Sequence, residues 1–149
     1  MNRILKFLFP AKSYCTSESW LLLTPRILFG VLLMTHGIAK WSAFGDLAAS
    51  FPDPLGFGRH ASLVLAIFAE IICAAGVIAG AFFRLALIPM IFTLCIALFV
   101  VHGGDPFAAR ELPLLYLAVF VPLFITGPGA YALDRLIGPG LTARKTASH

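Results

Sequence analysis

Charge is what this chain has least of. Asp, Glu, Lys and Arg make up 12% of its 149 residues, about half their share in an ordinary soluble domain. Four apolar runs separated by short polar breaks leave no stretch polar enough for a soluble module. Cysteine is also sparse. Cys15, Cys73 and Cys95 lie far apart and form no Cys-x-x-Cys, which excludes a local redox pair and a framework of bridges. Cys73 and Cys95 read as small packing residues. There is no His-Glu-x-x-His, clustered Cys/His motif, nucleophile elbow or phosphate loop. No metal site and no self-contained catalytic apparatus is therefore expected.

What is there is apolar: 60% of the residues are hydrophobic and the mean hydropathy is +0.94. In lipid a segment must satisfy its own backbone, and a helix does so within one span. The expectation is an all-α membrane protein, a four-transmembrane-helix bundle forming one membrane domain over 1–149. Spans are expected at about 20–44, 61–83, 84–102 and 112–126, with interfacial segments at 1–19 and 127–149. The N-terminal stretch, broken by Pro10, reads as an interfacial segment rather than a cleavable signal.

Local signals suggest the span ends. Thr24 is a plausible N-cap with Pro25 at the first helical position. Pro89 predicts a kink early in the third span, and Pro113 and Pro122 interrupt the fourth. Gly127, Pro128 and Gly129 break the helix ahead of a short amphipathic turn or helix at the membrane surface. The connection from Phe44 to Ser62, rich in turn residues and aromatics, predicts a compact, partly membrane-seated cap.

The cations, 11 Lys and Arg against 7 acids, punctuate the apolar runs instead of massing on one solvated face. That pattern points to a bilayer and not to nucleic acid. Arg3, Lys6, Lys12, Arg26, Arg84, Arg135, Arg144 and Lys145 fall on the side of the termini, with Lys40, Arg59 and Arg110 on the other. Basic flanks face the cytoplasm, so both termini are expected there.

The polar residues within the oil carry the functional question. Arg26, Gly30, Leu33, Gly37 and Lys40 share one stripe of the first span, with His36 beside it. Glu70 lies deep in the second span, where a central acid costs roughly 2.5 to 3.5 kcal/mol on insertion scales and must be paired or protonated. Gly76 and Gly80 offer a small-residue packing contact. Glu111 begins a stripe through Leu115, Ala118 and Pro122. Depth sorts these groups into a buried polar cluster and candidate ligand site (His36, Lys40, Glu70, His102, Glu111) and inner-edge ion pairs (Arg26, Arg84, Asp134, Arg135).

Each group also has a structural reading. Lys40 at a span end can snorkel to the interface beside Trp41, His102 can cap a helix, and Glu70 can belong to an ion pair that only holds helices together. Haem ligation by His36 and His102 is disfavoured because their depths differ by about two turns. The glycine stripes fit intramolecular packing or a homodimer equally.

Several stretches resemble the DoxX family of small bacterial integral membrane proteins: Arg26 to Lys40 with its His-Gly pair, Glu70 followed by AGVIAGAFFR, Glu111 ahead of LLYL, and GPGAYALDR from Gly127 to Arg135. The resemblance implies a four-helix bundle in the bacterial inner membrane, linked to quinone- or thiol-dependent oxidoreductase systems. This chain lacks paired cysteines. The leading expectation is a subunit or partner of such an oxidoreductase, with a quinone head group received by His36, Lys40, Glu70 and Glu111 and Trp41, Phe51 and Phe57 at the mouth. The alternatives are a non-enzymatic assembly or cargo factor, in which the polar cluster fixes helix register, and a small-solute or proton transporter.

Overall fold

A computed structural model describes residues 14–135, and all its regular elements are helical. Helix α1 is Thr16–Ser42 and α2 is the short Phe44–Leu47. Helix α3 is Arg59–Ala79, α4 is Phe83–Val101 and α5 is Phe107–Thr126. All but α2 are long and apolar enough to cross a bilayer. At 1.5 Å per residue α3 alone extends about 31 Å, the thickness of a hydrocarbon layer. The molecule is a multi-pass helical membrane protein.

The core lies where the four spans meet. Leu33, Val77, Phe83, Leu87, Met90 and Phe120 pack there out of contact with the surroundings. Large apolar side chains such as Phe92, Phe99 and Ile125 point outward, as lipid-facing surface does. The backbones of α1 and α3 approach closely. A Cβ added at Gly30 would lie 2.6 Å from Ile78 Cγ1, and one at Gly37 2.9 Å from Glu70 Cβ. Within the described chain these glycines therefore serve packing between its own helices.

Several boundaries differ from the sequence reading. Helix α1 begins at Thr16, well before Thr24, because Glu18 folds back to accept the Cys15 amide at 3.2 Å. Thr24 instead bonds the Trp20 carbonyl at 3.0 Å, and Pro25 lies inside the helix. Helix α3 stops at Gly80, whose left-handed φ of 69° suits a residue without a Cβ. Gly80 thus ends the helix and packs against Ala132, and it does not form a helix-packing pair with Gly76, whose nearest neighbours are Ala81 and Ala86. Helix α4 runs through Pro89 without a break and turns π-helical over Ala97–Val101. Helix α5 starts at Phe107, since the turn ending at Pro106 sets the boundary and the hydropathy of Arg110 and Glu111 does not.

After α5 the chain breaks at Gly127, Pro128 and Gly129 as expected, and helical geometry resumes only at Asp134 and Arg135, the last described residues. Gly127, Pro128, Gly129, Ala132 and Asp134 are buried, and the strap crosses the corner between α3 and α4. Leu133 N donates to Ala79 O at 3.3 Å and Asp134 N to Gly80 O at 2.9 Å. The Arg135 guanidinium lies 5.9 Å from the Tyr14 ring centroid, so the two described chain ends share one end of the bundle, here called the clasp end. The expected interfacial segments at 1–13 and beyond Arg135 lie outside the described residues.

At the opposite, loop end, Asp53 organises the cap. Its carboxylate accepts the Ser62 hydroxyl at 2.8 Å and the Gly58 and Phe57 amides at 2.8 and 3.1 Å. The Ser62 bond first, then the backbone amides, holds its pKa below the usual carboxylate value. Its contribution to loop order is complete above the ordinary value of about 3.9 and is lost as pH falls through the lower folded value. Carboxyl NMR titration should show Asp53 protonating below the ordinary aspartate value, and Ser62→Ala should move it upward. An unmoved titration would remove Ser62 from this role.

Asp134 closes the other end. Its two carboxylate oxygens accept the Phe82 and Phe83 amides at 2.7 and 2.8 Å, capping α4 from far along the chain. Asp134→Ala should cost about 1–3 kcal/mol of stability in detergent, the penalty for stranding buried donors, and Asp134→Asn should cost less.

Candidate functional site

The residues expected at the inner edge all lie at the clasp end, where among the described residues no ion pair at salt-bridge distance joins them. Arg26, only 2% exposed, donates through Nη1 to Pro128 O and through Nη2 to Tyr131 O, both at 2.6 Å. Arg84 donates to Phe124 O at 3.0 Å and Ile125 O at 2.9 Å. Asp134 is occupied by the α4 amides, and Arg135 is exposed over Tyr14. Backbone carbonyls left over at the end of α5 and in the strap take the place expected for a carboxylate. This end is a structural clasp.

The other group separates. Lys40 Nζ and Glu70 Oε2 meet at 2.6 Å, with side chains 26% and 10% exposed. Glu70 lies about 16 Å along α3 from Arg59, midway through the span. Lys40 is deeper than a snorkelling lysine would be: Gly37, one turn earlier, touches Glu70 itself. His102 does not join them. Its Nδ1 pairs with Asp105 Oδ2 at 2.8 Å in an exposed turn. Glu111 is exposed, and Leu115, Ala118 and Pro122 share that outward stripe. The buried face of α5 is Pro113, Tyr116, Leu117, Phe120 and Leu123. The causes differ: rotation about the α5 axis sets Glu111 on the outward face, while His102 lies just past the end of α4 and pairs within its own turn.

His36 is half-buried and meets Tyr116 edge to face, with ring centroids 6.1 Å apart. Tyr116 in turn stacks on Phe120 at 5.9 Å and lies within electrostatic reach of Glu70. Tyr116 is thus a neighbour of the site that the sequence reading omitted. The signal was available in the helical spacing of Pro113, Tyr116, Phe120 and Leu123. Glu70 also falls within a π-helical segment, Phe68–Cys73, a wider turn often found at functional positions.

This arrangement sets a carboxylate against an ammonium-bearing side chain at mid-span. The ammonium supplies the charge-assisted partner, and the loss of water strengthens their attraction. A quarter of the lysine side chain stays accessible, so the pair is open on one side. His36 and Tyr116 add groups able to exchange protons beside it.

Fold and site define a four-span helical membrane protein built around a part-buried lysine–glutamate pair. A family model described as DoxX matches residues 21–103, more than half of the 149, and takes in both members of that pair. The chain belongs to the DoxX family. Comparisons with curated proteins and with solved structures return no match.

Gly37 sets the distance across which the pair closes. A Cβ there would lie 2.7 Å from Ile71 Cγ1, 2.9 Å from Glu70 Cβ and 3.1 Å from the Glu70 carbonyl carbon, whereas at Gly30 the close neighbours are the flexible end of Ile78. Gly37→Ala should therefore lower the unfolding midpoint in detergent, by about 1–3 kcal/mol, and Gly30→Ala should lower it less. Equal losses would contradict a special role for the Gly37 contact.

Proposed function

We propose that this protein is a subunit or partner of a quinone- or thiol-linked oxidoreductase in the bacterial inner membrane, with both termini cytoplasmic. Its site is the Lys40–Glu70 pair with His36 and Tyr116 beside it. The observation that carries this reading is a mid-span carboxylate whose lysine partner remains partly accessible. An ionisable residue at that depth marks a functional site by default.

The donor set suits a quinone head group. Lys40 offers N–H donors and Tyr116 a hydroxyl, and the surrounding core is apolar. A bound quinone would supply two-electron redox chemistry linked to proton uptake. Lys40 would orient a carbonyl oxygen, while Glu70, relieved of part of its lysine contact, would hold or pass a proton, with His36 as a neighbouring relay. Electron transfer is assigned to the partner oxidoreductase, since this chain carries no redox pair.

A second reading draws on the same 2.6 Å contact: a mutually satisfied pair can simply fix helix register in an assembly or cargo factor. Removing one member of a buried pair typically costs about 3–5 kcal/mol, while replacing both with apolar residues is often near neutral. Glu70→Met and Lys40→Met should each destabilise the protein, and the double variant should recover its fold. The double variant in nanodiscs should nevertheless lose quinone retention and its effect on a partner's quinone-reducing rate. A double variant that folds and retains both would leave the pair only the register role and overturn its assignment as the quinone site, and a parent protein that shows neither property would overturn the oxidoreductase reading.

A further inference from the structure

The α1–α3 contact has another side. There Ile38 and Trp41 of α1 and Phe44 at the start of α2 face the Val64–Ile72 stretch of α3 across a groove of about 430 Å³ with wholly apolar walls. Lys40, Glu70 and His36 contribute nothing to its lining. Trp41 and Ile72 are 67% and 59% exposed, so the groove opens onto the bilayer.

Its dimensions match one leaflet. Val64 to Ile72 covers about 12 Å along the α3 axis, from just past mid-span towards the loop end, and half a hydrocarbon layer is about 15 Å thick. An arginine and an imidazole stand at its loop end. The Phe44 ring, part of the wall, meets His60 edge on with centroids 5.1 Å apart. The exposed Arg59 is held alongside by donating to Ala49 O at 2.6 Å. The feature is apolar along a leaflet's depth and carries the exposed Arg59 guanidinium and the His60 imidazole at headgroup level, groups able to donate to the anionic phosphate of a lipid whose chain runs inward.

We propose that this groove holds one acyl chain of a phospholipid in the loop-end leaflet, with its phosphate set against Arg59 and His60. A helix from a second copy would fill the apolar part without using the charge at its head. The assignment does not depend on the proposed role of Lys40 and Glu70.

The test uses the full chain in vesicles containing phospholipids brominated on the acyl chain. The Trp20→Phe substitution leaves Trp41, in the groove wall, as the sole tryptophan. Trp41 fluorescence should be quenched at lower brominated-lipid fractions than a randomly exchanging lipid shell would give. Val64→Phe with Ile72→Phe fills the groove from two exposed positions and should return quenching to the random curve. Brominated phosphatidylglycerol should be preferred over the phosphatidylcholine analogue, and Arg59→Gln should reduce that preference by about fivefold, the worth of one basic residue at a membrane surface. Random quenching in the parent, or quenching unchanged by the filling pair, would overturn the proposal. Shielding of Trp41 that grows with protein-to-lipid ratio would also overturn it, by assigning the groove to a second copy.

Discussion

A carboxylate at mid-depth in a bilayer needs a partner, and much of this structure follows from supplying one to Glu70. Lys40 reaches it at 2.6 Å only because α1 lies almost backbone to backbone against α3 at Gly37. A larger residue at Gly37 would separate the helices and leave a charge stranded in apolar surroundings. The glycine stripe and the ion pair are therefore one device. Gly37 permits the approach, and the pair exploits it.

The clasp end solves a different problem with similar residue types. Helices that stop inside a membrane protein leave carbonyls and amides without helical partners. Arg26 and Arg84 satisfy carbonyls of the strap and the end of α5, while Asp134 satisfies the first amides of α4. The strap brings together parts of the chain about a hundred residues apart, and its Asp134 replaces a local cap that Phe82, with its left-handed φ of 46°, does not provide. Charged residues of the two ends thus divide between backbone satisfaction at one end and a partly accessible charge pair deep in the spans.

How far the sequence revealed this depended on whether a property is local. The number of spans, the buried stripe from Arg26 through Gly37 and the need of Glu70 for a partner all follow from periodicity and hydropathy. The face of α5 did not. Glu111 and Tyr116 lie on the same helix, and the more polar residue drew attention although the aromatic one faces the site. His102 was grouped with Lys40 by depth, yet its ring turns to Asp105 three residues away. Depth along an axis is readable from a sequence, and azimuth about it is read less securely when most of the surface is apolar on every side.

The sequence by itself determined a helical membrane protein, since an apolar chain in lipid has few other ways to satisfy its backbone, and it determined that the acid of the second span must be neutralised. Tertiary structure alone decided which cation does so, that Asp134 caps a helix instead of meeting an arginine, and that Tyr116 stands beside the site. Those outcomes depend on how helices are rotated and how closely they pack. Both are set by contacts between residues distant in the chain, which no single span encodes.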